Sequence, residues 1–220
     1  MPRPRAVLFD FDGVLADTEN VHVASWERIF AVMGLEVTPE QCSRAAEIDD
    51  RAFLTEILTA KKIEDAAIEG WVGRKQELAA AMLGDEPRLY PGVAELVRRL
   101  EHQVVLAVVT SARREDVDSV LRSGGIAGAF STVVSKEDVT RTKPDPEPYR
   151  TALERLGVAR QEAVVLEDSA AGLASARAAG LRSIAIGHRH TKGVWVGEST
   201  FLEDLADVDG VLFALGCADE

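Results

Sequence analysis

Residues 6–18 read Ala6-Val7-Leu8-Phe9-Asp10-Phe11-Asp12-Gly13-Val14-Leu15-Ala16-Asp17-Thr18, four apolar residues that run into two aspartates and a glycine. The apolar run has the length of a short buried strand, and the acids mark its end. In an extended chain residues i and i+2 point the same way, so Asp10 and Asp12 would present two carboxylates together. Gly13 lets the backbone turn sharply or approach a ligand closely. Similar apolar runs recur at Val104 to Val109, Phe130 to Val134, Ala163 to Leu166 and Ser183 to Ile186. Between them Val93 to Leu100, Glu115 to Leu121, Tyr149 to Leu156 and Gly172 to Ala179 carry helical spacing, several closed by a glycine such as Gly124, Gly157 or Gly180. Strand and helix in alternation predict an α/β fold with a doubly wound parallel sheet covered on both faces. Open sheets of this kind bind ligands at the carboxyl ends of their strands, where Asp10 and Asp12 fall.

The interval between the first and second apolar runs is far longer than the dozen or so residues of a crossover helix, which points to an inserted domain. Within it Trp26, Ile29, Phe30 and Met33 fall at i, i+3, i+4 and i+7, and Phe53, Leu54, Ile57 and Leu58 repeat the stripe. The insert is therefore helical. An aromatic stripe could line a ligand groove, but a buried seam is the commoner use and is the expectation here. The chain should divide into a core of residues 1–15 and 88–220 and a helical cap of residues 16–87.

Of 220 residues, 46% are hydrophobic and 28% charged, which excludes a disordered chain or a disulfide-stapled miniprotein. The net charge of −12 repels nucleic acid and anionic lipid, so neither is an expected partner, and an anionic substrate must be captured by local cations. Cys42 and Cys217 are the only cysteines and have no metal-ligand spacing, which predicts inert thiols in a reducing compartment. Four apolar residues before Asp10 are too few for a secretory segment, and no run approaches the ~20 residues of a membrane span. A cytoplasmic protein without membrane contact is expected. With no sustained heptad, it should be a monomer.

Three further segments follow strands. Thr110, Ser111 and Ala112 follow the second run, where hydroxyl and N–H groups can hold a phosphate oxygen; Ser111 as a helix N-cap explains the same residues without a ligand. Thr142-Lys143-Pro144-Asp145-Pro146 sets a lysine into a rigid turn, with Asp145 as N-cap and Pro146 at the first helical position. Val164-Val165-Leu166-Glu167-Asp168-Ser169 puts adjacent carboxylates at a strand end, open between a ligand shell and a helix cap.

Taken in this order, DFDGVLADT, the Thr-Ser-Ala segment, Lys143 and LEDSAAG resemble the four motifs of the haloacid dehalogenase-like hydrolase superfamily, and the match spans nearly the whole chain. The resemblance implies a Rossmann-like core, a helical cap inserted after the first motif, and Mg²⁺-dependent phosphoryl transfer through an aspartyl-phosphate. Asp12, which the founding dehalogenases lack, argues for phosphate chemistry over carbon–halogen hydrolysis. Carried over residue by residue, Asp10 is the nucleophile and Asp12 the general acid/base. Mg²⁺ would take Asp10, the Asp12 carbonyl and Asp168, with Glu167 in or just outside its shell. Ser111, the Ala112 amide and Lys143 would hold the phosphoryl group, with Thr110 as the alternative in a register shifted by one. Four carboxylates facing one lysine would reject a phosphate dianion without the metal.

Within the superfamily the chain is similar to β-phosphoglucomutase and the sugar-phosphate phosphatases near it. The resemblance places His22 at the mutase's cap histidine and Arg51 where an arginine meets the distal end of the substrate. Packing or solvation of His22, and pairing of Arg51 with Asp49 or Asp50, are the plainer readings. The cap loop Ala46-Glu47-Ile48-Asp49-Asp50-Arg51 is acidic, and Glu47 falls where the mutase has a lysine. Like-charge repulsion would weaken a distal phosphate there. The expected substrate is thus a small phosphorylated metabolite with an uncharged body, a sugar or polyol phosphate. The alternatives are a phosphosugar mutase, then a phosphoglycolate phosphatase or a non-catalytic binding module. No Walker loop, GxGxxG, HExxH, CxxC or GxSxG occurs in the chain. His188, His190 and the segment Leu205 to Glu220 carry no assigned role.

Overall fold

Six short strands, β1 (Ala6–Phe9), β2 (Val105–Val109), β3 (Phe130–Val134), β4 (Ala163–Glu167), β5 (Arg182–Ile186) and β6 (Phe201–Leu202), lie parallel in the order β3-β2-β1-β4-β5-β6. This computed structural model describes residues 3–46, 48–63, 67–84, 88–188 and 200–218. β1 lies at the centre and is buried throughout, which is why its side chains run apolar without alternation. The sequence missed β6, since a two-residue strand has no periodicity to read; its neighbouring Thr200 and its own Leu202 accept from Ala185 and Gly187 N–H at 3.0 and 2.9 Å.

The chain divides into two units, Met1–Asp17 with Pro87–Glu220, and Thr18–Glu86. The second holds α1 (Glu19–Met33), α2 (Pro39–Ser43), α3 (Asp50–Ala60) and α4 (Ile68–Gly84). Its core forms where the two sequence stripes meet: Trp26 stacks on Phe30 with ring centroids 5.2 Å apart, and Phe53 meets Trp26 edge-on at 5.4 Å. Ile29, Leu54, Ile57 and Leu58 complete this cluster, so the stripes are packing seams. The unit begins at Thr18 and not at Ala16 because the segments leading in and out of it pair with each other. Ala16 bridges Leu89 in antiparallel fashion, and Asp17 N–H donates to the Arg88 carbonyl at 2.9 Å.

The sheet unit adds α5 (Val93–Leu100), α6 (Arg114–Ser123), α7 (Glu147–Leu156), α8 (Ala170–Ala178) and α9 (Val208–Leu215). The C-terminal segment with no assigned role is α9, which buries Val208, Val211, Leu212 and Leu215 and packs on α5. No helix among the described residues is long and apolar enough to cross a membrane.

Two expected helix starts are corrected. α6 begins at Arg114 with Arg113 in the capping position, so Ser111 is not its cap. α7 begins at Glu147 with Pro146 in the capping position, one residue later than expected, although the Asp145 carboxylate still accepts the Glu147 N–H at 2.9 Å. In both cases the chain leaves the sheet through a turn that uses up the polar residues before the helix starts.

The exit turn of β3 fixes the loop after β2. Lys136 N–H donates to the Ala112 carbonyl at 3.2 Å, and the Glu137 carboxylate accepts the Arg114 N–H at 3.1 Å. Asp138 accepts from the Ser135 N–H and hydroxyl at 2.9 and 2.7 Å, from Arg114 at 3.2 Å and from Arg155 at 2.7 Å. Burial pushes the Asp138 carboxyl up, but these donors outweigh it and hold the group far below the usual carboxylate range.

Two consequences can be measured. Phe53→Ala should cost ~3–5 kcal/mol in urea unfolding, because it empties the centre of the helical unit's aromatic cluster. Asp138→Asn should cost about 2 kcal/mol at neutral pH. The folded value of Asp138 lies below its unfolded value, so the stability it contributes is present above about pH 4 and is lost as the pH falls from there. The gap between wild type and Asp138→Asn should therefore narrow in acid, and a gap independent of pH would contradict this role.

Candidate active site

Parallel register brings the chemistry-bearing strand ends to one edge of the sheet. Phe9 lies level with Val108 on one side and with Leu166 on the other, so Asp10 falls beside Glu167, the last residue of β4, and one residue short of the level of Thr110, which follows β2. Asp10 extends the ladder by one bond, its N–H donating to the Leu166 carbonyl at 2.9 Å. The strand then gives way to a tight turn. Leu15 and Ala16 N–H both donate to the Phe11 carbonyl, at 2.9 and 3.0 Å, and Gly13 has φ 82°, a left-handed conformation that favours glycine.

Lys143, from the loop before α7, reaches into this edge. Its Nζ donates to Asp10 Oδ1 and to Glu167 Oε1, both at 2.6 Å, and lies 5.1 Å from the centre of the Tyr149 ring. The loop is held by its own acids. The Glu147 carboxylate accepts from Thr140 and Arg141 N–H at 2.7 and 3.2 Å, and Ser175 hydroxyl donates to the Asp145 carbonyl at 2.6 Å. The Lys143–Pro144 peptide is cis.

Glu167 is fully buried and takes four donors. Oε1 accepts from Lys143 and from the Tyr149 hydroxyl at 3.3 Å, while Oε2 accepts from the Ser169 N–H and hydroxyl at 2.9 and 3.0 Å. The Ser169 hydroxyl also accepts the Gly172 N–H at 3.0 Å and so caps α8. Neither Glu167 nor Asp168 is the cap of α8. Gly172 is required by packing: a Cβ there would run into the Glu167 carboxylate.

One carboxylate oxygen from each of Asp10, Glu167 and Asp168 lies within 4.8 Å of the others, and all three residues are buried. The Asp12 carboxylate is not one of this group. The donors that these three buried carboxylates offer are all oxygen. That set suits a hard divalent cation such as Mg²⁺. Burial and the neighbouring Glu167 push the Asp10 carboxyl well above the usual range, against the pull of Lys143. Burial alone would lower Lys143, but Asp10 and Glu167 outweigh it and keep the ammonium well above its ordinary value. Burial also raises the Tyr149 phenol, which therefore stays protonated and able to donate.

On the β2 side, Thr110 is buried and its hydroxyl accepts the Ala112 N–H at 2.9 Å, closing the turn on itself. Ser111 is exposed. In the helical unit, His22 Nδ1 lies 2.9 Å from Lys75 Nζ, and Arg51 is bridged to Glu69 at 2.5 Å on the surface and not to Asp49 or Asp50. Glu47 and His190 lie outside the described residues. His188 stacks face to face on Tyr90, with ring centroids 3.9 Å apart. Tyr149, Ser169 and Lys75 escaped the sequence reading. Tyr149 sits on a helical stripe and reads as core, and nothing local marks Lys75 as a buried lysine.

The family model for haloacid dehalogenase-like hydrolases matches residues 7–186. The phosphorylated carbohydrates phosphatase of Thermotoga maritima is 32% identical over 180 residues, covering 81% of this chain and 83% of the relative. The β-phosphoglucomutase of Bacillus subtilis is 26% identical over 190 residues, 83% of each. Among solved structures, CbbY of Rhodobacter sphaeroides in complex with xylulose 1,5-bisphosphate superposes with a TM-score of 0.79 at 28% identity, over 93% of this chain and 96% of that one. With six parallel strands in Rossmann order and the four motif segments on the sheet unit, the chain belongs to the haloacid dehalogenase-like hydrolase family, close to its phosphosugar phosphatases.

Proposed function

We propose that the protein is a Mg²⁺-dependent phosphatase that hydrolyses a small sugar or polyol phosphate through an aspartyl-phosphate on Asp10. The observation that carries this reading is Lys143 bridging Asp10 and Glu167, with Asp168 beside them, at the carboxyl edge of the sheet. An Asp10 carboxylate oxygen bonds to phosphorus while the bond from phosphorus to the substrate alcohol oxygen breaks, and Asp12 gives that oxygen a proton. Asp12 then takes a proton from water as the water oxygen bonds to phosphorus and the Asp10–phosphorus linkage breaks, releasing inorganic phosphate. Lys143 and Ser111 hold the phosphoryl oxygens, with Glu167 and Tyr149 keeping Lys143 in place, and the Ala112 N–H joins them on leaving the Thr110 hydroxyl that accepts it at 2.9 Å. Mg²⁺, held by Asp10, Asp168 and the Asp12 carbonyl with Glu167 in or beside its shell, would supply positive charge against the phosphoryl group.

Substrate choice falls to the helical unit, acting as a cap, with His22, Glu47 and Arg51 as its candidate contacts. Arg51 is matched by Glu69, so a second anion would find that guanidinium already occupied. This favours an uncharged, hydroxylated body. A phosphosugar mutase is the second reading, favoured by the likeness to the Bacillus subtilis enzyme.

The test is phosphate release from a panel of sugar, polyol and two-carbon phosphates. Release should require Mg²⁺, vanish with a chelator, and fall at least 10³-fold in Asp10→Asn, the order expected for loss of a nucleophile. Glucose 1-phosphate with a bisphosphate primer giving glucose 6-phosphate faster than free phosphate would replace this reading with the mutase. Mg²⁺ binding with no phosphate release from any ester would leave only a binding module.

A further inference from the structure

Helix α8 touches both sides of the Lys143–Glu167 contact. Its N-terminal end takes the acid: Ser169 donates to Glu167 Oε2 from its N–H and its hydroxyl at 2.9 and 3.0 Å, and Gly172 leaves open the space that the carboxylate fills. Ser175 lies three residues beyond Gly172, on the same face of the helix, and is fully buried. A serine inside a helix commonly returns its hydroxyl proton to a carbonyl three or four residues back. Ser175 instead donates to the Asp145 carbonyl at 2.6 Å, 30 residues away along the chain.

Asp145 closes the turn that carries Lys143. Its N–H donates to the Thr142 carbonyl at 3.0 Å, so Thr142 to Asp145 form a four-residue turn with Lys143 as its second member. The acids of segment 140–147 shape it from within. Glu147 accepts from the Thr140 and Arg141 N–H groups, Asp145 accepts from the Glu147 N–H, and the Arg141 guanidinium pairs with the Asp145 and Glu147 carboxylates at 3.2 and 3.3 Å. Among the described residues, Ser175 is the one side chain from another element that bonds to the backbone of this segment. A lysine carries its ammonium on a flexible four-carbon stem, so the reach of that charge depends on where the backbone beneath it is held.

We propose that Ser175 is a positioning residue for phosphoryl recognition: its hydroxyl ties the Lys143 turn to the helix that also holds Glu167, and so sets where the ammonium meets the phosphoryl oxygens. The tie stands on the geometry alone, whereas its use on a phosphoryl group rests on the phosphatase reading above. During the transfer described there Asp10 is taken up by phosphorus, and Lys143 keeps Glu167 and the fixed turn as its references. Helix stability does not explain the hydroxyl, because alanine is the better helix former and would bury no polar group at position 175.

Two variants of the intact protein test the tie. Ser175→Ala removes it and leaves α8 a good helix; Ser175→Cys keeps the shape with a weaker donor, and decides alone if alanine prevents folding. Reductive methylation with formaldehyde and cyanoborohydride, mapped by mass spectrometry, reads how often Lys143 escapes. Its side chain is 5% exposed and should label slowly in the wild type. In Ser175→Ala it should label about tenfold faster, the order expected for one hydrogen bond, with Ser175→Cys between the two. Lys75, 2% exposed in the helical unit, should keep its wild-type rate. An unchanged rate at Lys143, or an equal rise at Lys75, overturns the tie. Steady-state kinetics with a sugar phosphate reads the phosphoryl half. Ser175→Ala should raise KM about tenfold at nearly unchanged kcat, and weaken inhibition by inorganic phosphate to match, the pattern of an interaction lost equally from ground and transition states. A fall in kcat at unchanged KM, which a smaller folded fraction would also give, overturns this half. Faster labelling of Lys143 in a protein that hydrolyses no ester upholds the tie and discards the phosphatase, whereas an unchanged rate in an active phosphatase does the reverse.

Discussion

The Lys143 ammonium between Asp10 and Glu167 is the contact on which the rest of the sheet unit depends. Two carboxylates cannot sit buried side by side without a cation, and a buried ammonium cannot stand without its acids. The three groups come from the end of β1, the end of β4 and the loop before α7, so the trio exists only when the sheet is in register and that loop is closed. Ion pairs of this sort contribute little net stability once desolvation is counted. They contribute uniqueness, because any register slip would separate the charges and leave them buried.

Much of the surrounding polar structure keeps the proposed reactive groups from being used up. Helix caps and turn closures compete for the same side chains that chemistry needs. At the end of β4 the competition is resolved by Ser169, which caps α8 and also donates to Glu167, so that Asp168 has no capping duty. At the end of β2 the Thr110 hydroxyl closes the turn, while α6 starts only at Arg114, and Ser111 is left exposed. Before α7, Asp145 and Glu147 tie the loop down through backbone N–H groups while Lys143 extends away from them. Gly172 has the same logic in steric form, since its missing Cβ is the space occupied by the Glu167 carboxylate.

What could be read from the sequence follows from range. The strand-end motifs were legible because each places its chemistry within a few residues of an apolar run, and periodicity fixes where that run ends. The same-face argument for Asp10 and Asp12 was weaker than it looked, because ladder pairing ends at Asp10 and Asp12 lies in the turn that follows. Tyr149 was legible as core and invisible as a donor to Glu167, 18 residues away. The least legible feature was the choice between two adjacent residues of the cap loop. Asp50 turns inward to a lysine 25 residues on, while Arg51 turns out to Glu69. One residue along a helix rotates a side chain by about 100°, so a sequence register uncertain by one cannot decide which of the two is buried.

The two units thus use buried lysines in opposite ways, and the difference argues for a division of labour. In the sheet unit three buried acids lie together and two of them share one ammonium. In the helical unit the lysine meets the Asp50 carboxylate, which also accepts from the neutral donors of Trp26 and Gln76. Under the proposed function, charge recognition falls to the sheet edge.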